Sequence, residues 1–200
     1  MEFKLKYTEE EGKHIFFTSD SHYGHSNIIW MCKRPYTNVE EMNRKLIENW
    51  NNVVKPDDLV FHLGDFAFGG QPLWRSIREQ LNGNIILIKG NHDDRNLKNG
   101  CKVLFDGVYD QVKFYIENRC IYLNHYPFLC YGGSYRSEED AVFQLFGHVH
   151  SGPNSTGLDN DRLKMLFPYQ YDVGVDNNNY TPVSWEQIKE IIHEQTIEYK

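Results

Sequence analysis

Five short clusters of aspartate, asparagine and histidine punctuate the chain: Asp20-Ser21-His22, Gly64-Asp65, Gly90-Asn91-His92-Asp93, Asn124-His125 and Gly147-His148-Val149-His150. Singly, each has an ordinary explanation, because aspartate after a strand commonly caps a turn and asparagine or histidine beside glycine is common turn chemistry. Jointly they supply carboxylate, amide and imidazole donors without thiolate, a set that suits Mn, Fe, Zn or Co, with Mn the favoured ion. Divalent ions held this way polarise an anionic substrate and activate water. The H-E-x-x-H arrangement of a zinc protease is absent from the sequence.

The clusters need elements that deliver them to one place. Each follows an apolar run of strand length: Ile15-Phe17 before Asp20, Leu59-Leu63 before Asp65, Ile85-Ile88 before Asn91, Cys120-Leu123 before His125 and Val142-Phe146 before His148. Carboxyl ends of strands are where open α/β sheets bind ligands. Between the runs, Asn38 with Glu41 forms a capping-box-like start, and Met42, Leu46, Trp50 and Val53 recur at helical spacing. Further helices are predicted over Pro72–Leu81 and from Ser184, where Gln187 holds the capping position and Ile188, Ile191 and Ile192 face inward. The order is β-α-β-α-β up to Ile88. After Asp110 it turns mostly to strand, with Gln111-Ile116 and Cys120-Leu123 joined by Glu117-Asn118-Arg119 as a hairpin. The predicted fold class is α/β, two packed sheets with helices outside. In a strand alternate side chains share a face, so His148 and His150 are expected to point one way, as are Asp20 and His22 if that segment stays extended.

With 200 residues the chain is expected to form a single domain over residues 1–200. Its 40% hydrophobic and 24% charged residues argue against disorder and fibrous folds. A net charge of -7 gives no general attraction to nucleic acid or an anionic membrane, so any phosphate affinity has to be local. No signal-peptide-like or membrane-spanning apolar stretch is present, and a cytoplasmic location is expected. In that compartment Cys32, Cys101, Cys120 and Cys130, none in a C-x-x-C pair, read as free or packed thiols.

In their order the clusters resemble the signature of the calcineurin-like metallophosphoesterase superfamily, D-x-H, G-D, G-N-H-[DE], a histidine, then G-H-x-H. The resemblance spans residues 15–150, and Tyr171 to Val183 also looks like the closing segment of small bacterial and phage members. It implies a two-sheet β-sandwich flanked by helices, a four-layer αββα arrangement with the site at strand ends. It also implies two divalent ions, one held by Asp20, His22, Asp65 and His150, the other by Asp65, Asn91, His125 and His148, with Asp65 shared. By the same pattern His92 is not a ligand and would deliver the proton. Asp93 would hold the His92 ring in one tautomer or, alternatively, cap a helix beginning at Asp94. Charge counting agrees: two divalent ions against two carboxylates leave a net positive centre suited to phosphate.

Outside the signature, His25 is a candidate phosphate contact or a surface residue, and Arg34 a candidate guanidinium clamp on phosphate or a solvated charge. His62 reads as a packing histidine. Tyr126 to Tyr135 would wall the site and stack a nucleobase, or serve turn and core packing. The function expected is hydrolysis of a nucleotide or other small phosphoester by in-line attack of a hydroxide held between the two ions. A nuclease and a catalytically silent scaffold of the same fold are the alternatives. A silent scaffold should have lost ligands, and here every ligand position of the pattern is filled.

Overall fold

The computed structural model describes residues 3–136, 140–154 and 163–199. In chain order the elements are β1 (Lys6–Tyr7), α1 (Glu9–Gly12), β2 (Ile15–Thr18), α2 (Ser26–Met31), α3 (Val39–Val53), β3 (Leu59–His62), α4 (Gln71–Arg78), β4 (Asn84–Ile88), α5 (Asp94–Lys98), β5 (Gly107–Tyr109), β6 (Gln111–Ile116), β7 (Arg119–Asn124), β8 (Phe143–Phe146), β9 (Gln170–Asp172), β10 (Val183–Ser184) and α6 (Trp185–Tyr199). They form two five-stranded sheets, β10-β2-β3-β4-β5 and β1-β6-β7-β8-β9. In the first, β2 through β5 run parallel and β10 antiparallel. In the second, only the β6–β7 pair is antiparallel.

The parallel strands are apolar on both faces because both are covered. Ile15, Phe17, Leu59, Phe61, Ile86 and Ile88 point into the core between the sheets, against Phe114, Ile121, Leu123 and Leu145. The alternate residues Phe16, Val60, Ile85 and Leu87 join Met42, Leu46, Trp50, Trp74 and Ile77 of α3 and α4 in a second core. The period of two in each strand thus writes two cores at once. On α6, Trp185, Ile188 and Ile192 enter the first core.

Local chemistry starts the long helices. The Asn38 side chain accepts from the Glu41 amide at 2.8 Å. At α6, Ser184 Oγ accepts from the Gln187 amide at 3.2 Å while Gln187 Oε1 accepts from the Ser184 amide at 2.9 Å, a reciprocal cap. The predicted helix over Pro72–Leu81 is observed as Gln71–Arg78. The hairpin loop is tighter than predicted, because Arg119 pairs with Ile116 and leaves Glu117-Asn118 to turn the chain, with Glu117 at φ 57°. Among the described residues no helix is long and apolar enough to cross a membrane.

Candidate metal centre

The segments following β2, β3, β4, β7 and β8 converge at one edge of the sandwich, where they are tied backbone to backbone. Asp20 N donates to Gly64 O at 2.9 Å, His22 N to Asp65 O at 3.0 Å and Gly147 N to His125 O at 3.0 Å. The expected extended geometry is corrected here. Asp20, His22, Asp65, His148 and His150 all have left-handed φ, between 46° and 72°. Each such residue costs about 1–2 kcal/mol, so these loops hold their shape only because the surrounding contacts over-determine it. Gly64, at φ 98°, cannot be replaced without a Cβ striking the backbone of Gly90. A Cβ on Gly147 would collide with the Asp20 carboxylate and Ser19.

Among the described residues three donor clusters result, one of them Cys32, His150 and Asp176, and two are built from the expected ligands. Asp20, His22 and His150 form one, and Asp65, His125 and His148 the other, each with its donor atoms within 4.8 Å of one another. Asp65 Oδ2 lies between them, 3.5 Å from His22 Nε2 and 3.7 Å from His125 Nε2. Asn91 Oδ1 is 3.0 Å from His125 Nε2.

The residues fit two cations on three counts. First, Asp20 Oδ1 and both ring nitrogens of His22 are buried without a hydrogen-bond partner, and leaving such atoms unsatisfied is costly. Second, His125 Nδ1 donates to Leu63 O at 2.7 Å. That tautomer leaves Nε2 with a bare lone pair facing the Asn91 oxygen, a meeting of two acceptors that a cation resolves. Third, His150 Nδ1 meets Asp176 Oδ2 at 2.8 Å, which turns Nε2 toward Asp20 Oδ1 3.9 Å away. A carboxylate behind a ligating imidazole fixes its tautomer in this way.

The charge states follow from burial and neighbours. Burial, reinforced by the other basic groups, holds His22 well below the usual histidine range, so it is neutral and ready to ligate. Burial likewise lowers His148. Burial alone would lower His150 too, but hydrogen bonds to Asp176 and Cys32, with Asp20 nearby, outweigh it and raise the imidazole to about 11. Burial and the neighbouring Asp20 raise the Asp65 carboxyl despite His125. The raised Asp65 and His150 values reflect carboxylates short of positive charge.

His92 stands at the mouth with a side chain 44% exposed and Nε2 3.9 Å from Asp65 Oδ2. Its amide donates to Asp65 Oδ1 at 2.9 Å, which ties the residue to the shared carboxylate. His25 packs its ring on Phe68, centroids 3.8 Å apart, beside His22.

Two sequence-stated roles need correction. Asp93 does not orient the His92 ring. Its buried carboxylate accepts from the amides of Gly90 at 2.8 Å, Asp65 at 2.9 Å and Phe66 at 3.0 Å, locking the G-N-H-D loop to the G-D loop, and its side chain makes no cap bond to the helix that follows. Arg34 is no phosphate clamp. Its side chain is fully buried, grips Asp176 through Nε and Nη2 at 2.8 Å each, and donates to Asp20 O at 2.7 Å and Ser21 O at 2.9 Å. The guanidinium faces the protein because two backbone carbonyls and a carboxylate await it there. His62 donates to Ser21 Oγ at 2.9 Å and accepts from the Gly64 amide at 3.2 Å, a packed histidine that braces the same loops.

Asp176 escaped the reading of the sequence, although it lies in the Tyr171–Val183 segment that resembled other members. Asp172, in the same segment, accepts from Ser151 N at 3.1 Å and Gly174 N at 2.7 Å and holds the end of the G-H-x-H loop. Neither has a glycine or histidine neighbour to mark it as metal chemistry.

Comparison with known proteins agrees with this geometry. Residues 13–176 match the family model for calcineurin-like phosphoesterase. An uncharacterised protein of Methanocaldococcus jannaschii is 35% identical over 184 residues, covering 89% of this chain and 90% of that protein. The gene 66 protein of Mycobacterium phage L5 is 29% identical over 166 residues, covering 68% of this chain and 77% of that protein. In structure, a protein of unknown function from Aquifex aeolicus superposes with a TM-score of 0.66 at 27% identity, covering 88% of this chain and 98% of that one. With the family model over most of its length and its donor clusters assembled at the strand ends, the chain belongs to the calcineurin-like phosphoesterase family, metal-dependent hydrolases of phosphoester bonds.

Proposed function

We propose that the protein is a phosphodiesterase acting on a nucleotide or another small phosphodiester, with Mn²⁺ as the preferred ion. The observation that carries this reading is the place of Asp65 Oδ2, shared between a cluster of Asp20, His22 and His150 and one of His125, His148 and Asn91. Two divalent ions held there would lower the pKa of a bound water and offset charge on the entering and departing oxygens of an in-line displacement.

The chain's own residues do the rest. Asp20 and Asp65 anchor the centre, and neutral His22 and His148 ligate without first losing a proton. His92, exposed at the mouth and tied to Asp65 through its amide, donates a proton to the departing oxygen. His25, held against Phe68 next to His22, would contact a non-reacting phosphate oxygen. The net charge of -7 favours a small substrate over a polymer, because binding a polymer through many phosphates needs a basic surface.

The test is hydrolysis of bis(4-nitrophenyl) phosphate and a nucleotide set with added Mn²⁺. Turnover is expected, lost on chelation, restored by the ion and only weakly dependent on salt. Protein carrying two ions that turns over no phosphoester sinks the proposal.

A further inference from the structure

Two cavities flank the metal centre, and they differ in chemistry. One, of about 630 Å³, opens at Asn91 and His92 and is lined by Phe68, Gln71, Arg95 and Asn96, a wall rich in polar groups. The other, of about 460 Å³, opens at His148 and is walled by Tyr126, Leu129, Leu163, Met165 and Leu166, with no carboxylate, lysine or arginine among the described residues lining it. That volume lies within the range of small-ligand pockets.

The apolar cavity is continuous with the metal centre. The Tyr126 ring sits 4.6 Å from the His148 ring and 4.9 Å from the His125 ring, and its hydroxyl is 3.5 Å from Asn91 Oδ1. A group seated in the cavity therefore has its polar end at the ligands of one ion. Leu129 and Met165 are 66% and 65% exposed, large apolar side chains held out around this opening with no packing role in either core. Exposed apolar surface gathered beside a polar reaction centre marks a ligand-binding groove.

We infer that this cavity is the subsite for a flat, uncharged aromatic group of the phosphodiester, a nucleobase or an aryl ring, carried on the ester that stays on phosphorus. The inference rests on the proposed diesterase reaction. His92, the proton donor, borders the polar cavity, so the departing alcohol leaves there and the retained ester faces His148 and Tyr126. Tyr126 offers its ring for stacking, and Leu129 and Met165 close on the ring edges. The site is accordingly matched to diesters with one aromatic retained group, and mismatched to those whose retained group is small.

The test compares bis(4-nitrophenyl) phosphate with methyl 4-nitrophenyl phosphate, which share a leaving group and differ in the retained ester. The probe protein is the Mn²⁺-loaded full chain with Leu129→Ser and Met165→Ser combined, since both residues are exposed. The expected result is a loss of about tenfold in the ratio of kcat/KM for the aryl over the methyl diester, taken mainly in KM for the aryl diester. A ratio equal to that of the wild type overturns the inference while the proposed function stands. A wild-type protein that hydrolyses neither diester overturns both.

Discussion

Arg34 separates two accounts of how this centre is built. If it clamped phosphate, Arg34→Ala would raise KM and leave the folded protein alone. The structure places it elsewhere: inside the protein, paired with Asp176 through two bonds of 2.8 Å and holding the carbonyls of Asp20 and Ser21. Truncation leaves the Asp176 carboxylate facing only His150, with two carbonyls short of a donor. Removing one partner of a buried ion pair costs about 3–5 kcal/mol. At about 2–4 °C per kcal/mol for a chain of this size, the metal-free variant should melt about 6–20 °C below wild type. Because the Asp20 and Ser21 carbonyls belong to the D-x-H loop, metal affinity at the Asp20 cluster should fall as well. Thermal melts of the metal-free proteins, metal titrations and steady-state kinetics read all three quantities. An Arg34→Ala protein with wild-type melting and metal affinity but a raised KM would refute this reasoning and restore the phosphate clamp.

Two further outcomes concern the histidines. His92→Ala should keep both ions and slow turnover by about 10²–10⁴-fold with alkyl leaving groups, and far less with 4-nitrophenolate, which needs no proton. Equal slowing of both classes would remove the general-acid role. At His150, a pKa of about 11 means the metal-free imidazole is protonated at neutral pH. Metal must displace that proton, so affinity should rise about tenfold per pH unit through the neutral range, below the His150 pKa. Calorimetry in buffers of different ionisation enthalpy should detect about one proton released from this residue. No proton release from the Asp20 cluster would contradict the assigned charge state.

Much of the architecture was legible because strands β2, β3 and β4 write burial on both faces as unbroken apolar runs, and because the caps of α3 and α6 lie in local sequence. The short elements were not. Six-residue α2 and three-residue β9 span too little chain for a period to emerge. The donor clusters were legible from their glycine-flanked spacing, but their backbone was not. Alternation along an extended strand would have brought His148 and His150 to one side, whereas the chain does so by left-handed turns at both residues. The roles of Arg34 and Asp93 escaped for one physical reason. Each is a charged side chain satisfied by distant backbone, Arg34 on the D-x-H loop and Asp93 on the G-D loop, and sequence spacing carries no record of such partners.

The account turns on Asp65 serving two ions at once. Metal content and affinity of Asp65→Asn, measured by elemental analysis and titration beside the wild type, test it most directly. The wild type should bind two ions per chain, and the variant should lose affinity at both clusters together with turnover. A variant that holds both ions as tightly as the wild type, or loses one cluster and keeps the other intact, would contradict it.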